Sequence, residues 1–532
     1  MRRLTPEDIT NLSTELGFPI PAAEAERFQT LTDYMIDTVD RFDNVARAQP
    51  RPSAPPRDAG RVPRPDEDPL NAVLRVVDIF QPSASGALDG INVVMKDNIP
   101  IAGVPMTMGS DVLTDYVPAE DAELTRRVLA AGGRIVGTTN MEAFAFSGGG
   151  ETSGHGRVEN PFDRARTASG SSTGSAVALW YDGVDLAWGT DTGGSCRIPA
   201  SWSGVLGLKP THGLVPFGGI PTSDWRFDHA GPLARSVEIM ARGMDAVVSP
   251  IVYDDADYVS PVRIERPAYA AEVASTGPDL TGVRIGLVRQ GFRAADDPDA
   301  AEGAIETADA VRTAADRFAA LGAEVADVDL GVLAEGGDVM FAAMLESATA
   351  ATFGWPNAYH WLAESSPEFA AALSTAIAGR GERMPDNFKA VLMVGTYLNR
   401  QRGGEVGARA HQLAAGMRAA VDDALNGVDV LMMPTTSHTP FLARDDVDGV
   451  ETSLRGWGMM HNVPLFNLTG HPAISMPAAD AGGLPVGVMA VARRHDDARL
   501  LRLARAYELG HGWALQDAPF DWVQPTTFTK GR

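Results

Sequence analysis

Short apolar runs alternate with amphipathic stretches between about residue 70 and residue 290 of the chain. The runs INVVM (91–95) and RIVGTT (134–139) contain many β-branched residues and predict strands. The stretch AELTRRVLAAGG (122–133) has helical spacing and closes on two glycines, so it predicts a helix. A further strand is predicted near 280–288, in LTGVRIGLV. This alternation predicts an α/β body with a mixed or parallel sheet.

The pattern changes after this region and then returns. Residues 296–425 are rich in alanine and glutamate and predict a mostly helical inserted sub-domain. Strands are predicted again at 428–434 (VDVLMMP) and 471–477 (HPAISMP). The stretch DDARLLRLARAYE (496–508) predicts a final amphipathic helix.

The N-terminal part of the chain predicts a separate helical appendage over residues 5–48, where Leu31, Met35 and Val39 fall near helical spacing. A segment rich in proline and charge follows, which cannot pack as a core and predicts a linker. The predicted division is residues 1–70 (helical domain and linker), 71–290 (core), 291–425 (helical sub-domain) and 426–532 (the C-terminal part of the core).

Composition narrows the class of protein. The 532 residues carry a formal net charge of −24, which argues against binding to nucleic acid or to anionic membranes. Cys196 is the single cysteine, so a disulfide scaffold is excluded. We find neither an apolar run that could span a bilayer nor a signal-peptide pattern, so a cytoplasmic location is the default expectation.

Three glycine- and serine-rich clusters lie at 147–156, 168–180 and 190–201. Residues 170–174 (GSSTG) match the nucleophile elbow of α/β-hydrolases, but the preceding NPFDRARTA is polar and lacks the strand which that elbow requires. A phosphate-binding loop is excluded because Ser175, rather than a lysine, follows Gly174. The ten histidines show no H-x-x-x-H spacing, and we expect no metal and no cofactor.

Serine chemistry with a lysine base remains. TDTGGSCRIPAS (190–201) places Ser195 and Cys196 directly after two glycines, whose backbone can approach a substrate oxygen closely. Only four of the 45 basic residues other than histidine are lysines, and one of them, Lys96, directly follows a predicted strand. A neutral lysine can activate a serine, but its pKa must fall by roughly three units for it to act near neutral pH.

Four motifs together resemble the amidase signature family: VVMKDNI (93–99), SGSSTGSA (169–176), GTDTGGSCRIPAS (189–201) and GLKPTHGLVP (207–216). FDHAGPLARSV (227–237) fits the same pattern. The resemblance covers roughly residues 70–290 and 425–515. It implies the amidase-signature fold, a central mixed β-sheet flanked by helices. The N-terminal appendage further resembles bacterial enantioselective amidases associated with nitrile hydratases, with urethane-cleaving amidases as a related subfamily.

The resemblance implies a triad. Ser195 would be the nucleophile, Ser171 the middle member after a cis peptide bond, and Lys96 the base. The implied oxyanion hole consists of the backbone N–H groups of Thr192, Gly193, Gly194 and Ser195. Cys196 stands where the family usually has an aliphatic side chain, so we expect it to pack.

Other positions receive supporting or binding roles. The residues expected to bind substrate are Phe146, Ser147 and Gly148, and those expected to support the site are Gly170, Ser172, Asp191 and Arg197. Ser169 and Thr173 depart from the family pattern, which has glycine at both positions.

The implied activity is hydrolysis of small carboxylic amides to an acid and ammonia or an amine through an acyl-enzyme. Esters and carbamates (urethanes) are further candidate substrates. One alternative is the glutaminase subunit of a tRNA-dependent amidotransferase, which shares these motifs. The other is a catalytically silent binding protein on the same fold. The expected partner is a small-molecule amide, and the resemblance implies that the N-terminal helices serve as a homodimer element.

Overall fold

The computed structural model describes residues 2–42, 56–248, 251–254, 257–263, 267–292, 302–354, 366–444, 446–515 and 528. The chain divides into two compact units, Met1–Ser53 and Ala54–Arg532. The predicted divisions at residues 290 and 425 stay predictions.

The N-terminal unit contains two helices, α1 (Pro6–Glu15) and α2 (Ala22–Phe42). Helix α1 begins at a capping box, in which Thr5 and Asp8 each satisfy the other's backbone N–H group. The single predicted helical region is therefore two helices, separated by the glycine and prolines of residues 17–21.

The proline-rich segment up to residue 70 clusters with the larger unit from residue 54 onward. Arg57 makes two hydrogen bonds to the Asp121 carboxylate, at 2.5 and 2.8 Å, and Arg61 pairs with Glu67. The Arg57–Asp121 ion pair therefore attaches this segment to the rest of the larger unit, although its composition predicts a linker.

The larger unit is built on an eleven-stranded mixed sheet. The spatial order is β1-β3-β2-β4-β6-β5-β12-β13-β11-β9-β10, and β7 and β8 form a separate hairpin. The strands are β1 (Val73–Ile79), β2 (Asn92–Lys96), β3 (Arg134–Thr139), β4 (Leu186–Asp191), β5 (Leu206–Lys209), β6 (His229–Ala234), β7 (Ile251–Asp254), β8 (Asp257–Arg263), β9 (Arg284–Val288), β10 (Glu324–Val328), β11 (Val430–Pro434), β12 (Ala473–Ala481) and β13 (Leu484–Val491).

Helices flank this sheet, as predicted. Those of the larger unit are α3 (Glu123–Ala130), α4 (Thr173–Ala178), α5 (Arg197–Ser203), α6 (Val237–Val247), α7 (Tyr269–Ser275), α8 (Ala304–Ala320), α9 (Leu333–Thr349), α10 (Pro367–Arg380), α11 (Asp386–Arg402), α12 (Glu405–Asn426), α13 (Gly449–Gly458), α14 (Pro464–Leu468) and α15 (Asp497–His511). Short 3-10 turns lie at Ala143–Ala145, Arg289–Gly291 and Gly381–Arg383, and a π-helical turn lies at Ala350–Gly354.

The five strands predicted for the core are confirmed as β2, β3, β9, β11 and β12, and the two predicted helices as α3 and α15. Six further strands of the sheet are not predicted individually: β1, β4, β5, β6, β10 and β13. Strand β10 lies in the region predicted to be helical. It pairs in parallel with β9 at the edge of the sheet and leaves most of its side chains at least partly exposed. Its apolar pattern is therefore weak, because an edge strand buries little.

Strands β2 and β4 position the chemistry. They run parallel, with Met95 opposite Trp188, and every residue of both strands is buried. Their carboxyl ends therefore lie at the same edge of the sheet, where ligands commonly bind in α/β proteins. Lys96 ends β2, and Asp191 ends β4 immediately before Thr192.

Candidate active site

Lys96 lies completely buried at the end of β2. Its Nζ is 2.8 Å from Ser171 Oγ and 2.8 Å from Thr190 Oγ1, and it forms a hydrogen bond with each hydroxyl. Asn98 Nδ2 also donates to Thr190 Oγ1, at 3.1 Å. Two donors thus fix the Thr190 hydroxyl as an acceptor for the lysine.

Burial lowers the pKa of the Lys96 ammonium to about 8, because the charged form loses its hydration inside the protein. The negative charges of Asp191, Glu142 and Asp228 oppose this effect. A substantial fraction of Lys96 is therefore neutral slightly above neutral pH, as a proton acceptor must be.

Ser171 lies on the loop before α4, and the peptide bond between Gly170 and Ser171 is cis. A Cβ added to Gly170 would stand 2.6 Å from Glu142 Cγ, so only glycine fits there. The Glu142 N–H donates to the Ser171 carbonyl at 3.2 Å. The position before Ser171 therefore requires glycine, because the Glu142 side chain lies directly against the Gly170 backbone.

Ser195 occupies the turn between β4 and α5 and is 9% exposed, whereas Ser171 is fully buried. The Ser172 N–H donates to the Ser195 carbonyl at 3.1 Å and ties the two loops together. Ser172 Oγ in turn donates to the Thr190 carbonyl at 3.1 Å. Among the described residues no hydrogen bond joins Ser195 Oγ to Ser171 Oγ. Of the two hydrogen bonds that would link Lys96, Ser171 and Ser195, the structure therefore contains the one between Lys96 and Ser171.

An ion pair buried below the turn organises it. Arg197 Nη2 lies 3.0 Å from Asp191 Oδ1, and Asn467 Nδ2 donates to the same oxygen at 2.8 Å. Burial alone would raise the pKa of Asp191, but the Arg197 guanidinium outweighs it and holds that pKa well below its usual range. The Asp191 carboxylate therefore stays ionised and accepts hydrogen bonds beneath the turn.

One expected oxyanion donor is already engaged. The Gly194 N–H donates to Asp191 Oδ1 at 2.8 Å, and the Cys196 N–H donates to Oδ2 at 3.1 Å. The inclusion of Gly194 among the donors is therefore wrong, because its amide is directed toward the buried carboxylate. The expected donors that remain are Thr192, Gly193 and Ser195.

Cys196 is fully buried and its Sγ lies 3.7 Å from the Gly231 carbonyl oxygen. Burial raises the pKa of its thiol, so the thiolate that a nucleophile needs is disfavoured. The side chain packs as a small apolar group.

A cleft opens beside these loops and reaches Asn98, Thr190 and Thr192. Lys96, Ser171 and Ser195 are not among its described lining residues and lie next to it. Phe144 and Ala145 line it, whereas Phe146, Ser147 and Gly148 are not among its described lining residues. The substrate-binding role expected for these three residues stays a prediction. Phe144 has a positive φ of 55°, which turns the chain, and Phe146 is 5% exposed and packs against Phe388.

Several residues that the structure brings to the site are not predicted from the sequence. They are Asn98 and Thr190 beside Lys96, the buried Glu142 beside Gly170, and Asp228 in the cleft wall. Asn98 and Thr190 lie inside two of the family motifs, and Asp228 lies in FDHAGP. For Asn98, Thr190 and Asp228, this position within the motifs is the one signal in the sequence that could have identified them.

Among the described residues, no group of three or more His, Cys, Asp or Glu side chains could hold a metal ion. Within the same part of the chain, no helix is long and apolar enough to cross a membrane.

Comparison with known proteins agrees with this geometry. A family model described as Amidase matches residues 79–501. An enantioselective amidase of Rhodococcus rhodochrous is 34% identical over 502 residues, which cover 91% of this chain and 90% of the relative. A glutamyl-tRNA(Gln) amidotransferase subunit from Gloeobacter violaceus is 33% identical over 431 residues, covering 80% of this chain and 84% of that protein. The solved structure of native peptide amidase from Stenotrophomonas maltophilia has a TM-score of 0.65 and 27% identity, and the match covers 82% of this chain and 88% of that one.

Proposed function

This chain belongs to the amidase signature family of hydrolases, and from that premise we propose that it cleaves small carboxylic amides through an acyl-enzyme on Ser195. The observation that carries the proposal is the hydrogen bond of 2.8 Å between Lys96 Nζ and Ser171 Oγ at a fully buried site. In this arrangement Lys96 provides a base, and Ser171 can relay a proton to it from Ser195 on the neighbouring loop.

In the proposed acylation step, Ser195 Oγ attacks the amide carbonyl carbon. Its proton passes to Ser171 Oγ, whose own proton passes to neutral Lys96. The tetrahedral intermediate then collapses, the C–N bond breaks, and the proton returns from Lys96 through Ser171 to the leaving nitrogen. Water repeats the sequence on the acyl-enzyme and releases the carboxylic acid.

The developing oxyanion would be stabilised by the backbone N–H groups of Thr192, Gly193 and Ser195. Gly193 fits this role because it has no side chain that would block the approach of a substrate oxygen to its backbone N–H group. Asp191 would hold the turn in shape through the Gly194 and Cys196 amides.

The test is labelling of Ser195 by a fluorophosphonate, followed by hydrolysis of a small-amide panel that includes an anilide, an ester and a carbamate. Ser195→Ala should abolish labelling and turnover, whereas the neighbouring Cys196→Ala should largely retain both. Turnover that depends on Cys196 and survives Ser195→Ala would overturn the proposal. A protein that neither labels nor hydrolyses any amide would instead support a binding protein on this fold.

A glutaminase role is the second candidate, because the amidotransferase protein of Gloeobacter violaceus is about as similar in sequence as the enantioselective amidase. Release of ammonia from glutamine but not from propionamide or benzamide would favour it. Co-purification of a partner protein would favour it further.

A homodimer is part of the main proposal. The N-terminal helices expose Leu31, Tyr34 and Met35 on α2, which supports association with a second copy. Removal of residues 1–53 should then convert a dimer to a monomer in light-scattering measurements of mass, and an unchanged mass would exclude this role.

A further inference from the structure

The cleft beside Thr190 and Thr192 has mostly apolar walls. Aromatic and aliphatic side chains from several elements line it, among them Met106, Met108, Phe144, Phe217, Ile220 and Phe388. Such walls favour an uncharged hydrocarbon group of a substrate.

One acidic side chain interrupts these walls. Asp228 is the single charged residue among the described residues that line the cleft, and none of those residues is a lysine, an arginine or a histidine. Asn98 lines the same cleft, and its Oδ1 is buried with no hydrogen-bond partner among the described residues. The described lining of the cleft therefore contains one negative charge and one acceptor oxygen without a partner.

Asp228 is 5% exposed and rigidly held. Thr192 Oγ1 donates to its Oδ1, while the Thr222 hydroxyl and the Ser223 N–H donate to its Oδ2, the latter at 2.8 Å. The Asp224 N–H adds a longer bond of 3.2 Å to Oδ2. Oδ1 thus accepts one hydrogen bond from the described chain, although a carboxylate oxygen can accept two.

In the part of the chain that the structure describes, no cation lies within ion-pairing distance of Asp228, and Lys96 interacts with its charge only at longer range. The neighbouring Asp224 differs in this respect. Asp224 pairs with Arg226 at 3.1 Å and lies 3.7 Å from His411 Nε2. Burial raises the pKa of Asp228 to about 6, so the group is ionised at pH 8. A buried negative charge without a direct ion-pair partner attracts a cation from a bound ligand more strongly than an exposed one does.

We propose that Asp228 makes this cleft selective for amides that carry a protonated amine on an apolar body, and selective against amides that carry a carboxylate. This inference rests on the proposed amidase function and names the substrate class of that same site. A carboxylate in the cleft would meet Asp228 and, among the described lining residues, no cation. The anionic acid product is repelled for the same reason, which favours its release.

The test uses three phenylacetamides of similar size, with a para-aminomethyl, para-hydroxymethyl or para-carboxyl group. Their kcat/KM values are measured at pH 8 in 0.3 M NaCl, where salt screens the general negative field of the protein. We expect the cationic amide to exceed the anionic one by at least about 10-fold, as a single uncompensated charge nearby implies. Asp228→Asn should reduce this ratio to within about 3-fold, since the amide keeps the shape but loses the charge.

Asp224→Asn is the matched control, because it removes a neighbouring buried carboxylate whose charge is already paired. It should leave the ratio unchanged. The ratio itself is the readout, since a merely structural disturbance of Thr192 would slow all three amides alike.

Calorimetric binding of the three amides to Ser195→Ala gives a second measurement that does not depend on turnover. A wild-type ratio near one in both measurements, or a ratio that Asp228→Asn leaves intact, overturns the inference. If the neutral amide is hydrolysed but the ratio of cationic to anionic kcat/KM is near one, this inference alone is overturned. If Ser195 is not labelled and no amide is hydrolysed, the proposed function is overturned.

Discussion

Asp191 and Arg197 form an ion pair in which both side chains are completely buried, with 3.0 Å between Arg197 Nη2 and Asp191 Oδ1. Five residues lie between them in the sequence, and the turn that they enclose carries the proposed nucleophile Ser195. The same carboxylate accepts the Gly194 and Cys196 amides. The pair therefore fixes the shape of the turn from below.

Removal of the cation should be costly. Arg197→Met would leave Asp191 buried without its counter-ion, so we expect the free energy of unfolding to fall by about 3–5 kcal/mol. Urea denaturation measures this change. The control is Arg444→Met, which removes an exposed arginine paired with Asp446 and should cost less than about 1 kcal/mol. Equal losses in the two variants would contradict a special role for the buried pair.

The pH dependence should follow Lys96. Its pKa is about 8 and the neutral form is the base, so kcat/KM for an uncharged amide should rise about tenfold per pH unit below pH 8 and level off above it. Rates between pH 5.5 and 10 measure this profile. A profile that is flat from pH 6 to 9 would exclude Lys96 as the titrating base.

Thr190 should tune that profile. Thr190→Val removes the oxygen that accepts a hydrogen bond from Lys96 Nζ, which destabilises the ammonium form more than the neutral amine. The acidic limb of kcat/KM should therefore move to lower pH, by roughly half to one unit, while kcat falls. Thr190→Ser retains the hydroxyl and should restore the original limb. A shift in the opposite direction would show that Thr190 does not act as the acceptor.

Gly170 should not tolerate a side chain. Gly170→Ala places a Cβ 2.6 Å from Glu142 Cγ, and Glu142 is held because its Oε1 accepts the Glu151 N–H at 2.7 Å. We expect a loss of at least about 1–3 kcal/mol in unfolding free energy and a large loss of activity. Gly416→Ala is the control, since that glycine lies in α12 with no atom within 4 Å of the added Cβ. Its unfolding free energy should rise by up to about 1 kcal/mol, because alanine favours a helix over glycine.

Much of the core and of the candidate site could be predicted from the sequence. The run at 134–139 is a strand with those bounds, and Lys96 ends a strand as expected. These strands could be predicted because central strands covered on both faces contain runs of apolar and β-branched residues, such as Ile135–Val136 and Val93–Met95. The prediction failed at the edge of the same sheet, where β10 (Glu324–Val328) buries little and so lacks that pattern.

The sequence by itself determined the family, since the order and spacing of the motifs around Lys96, Ser171 and Ser195 identify it, and it predicted which residues carry the chemistry. Only the tertiary structure decided how each group is disposed. It turned the Gly194 amide toward Asp191 and placed Phe144 and Asp228 in the wall of the cleft. It also set the pKa of Lys96 to about 8, because desolvation and nearby charges depend on residues distant in the chain. Hydrogen-bond direction, burial and charge proximity are properties of packing, so no local pattern encodes them.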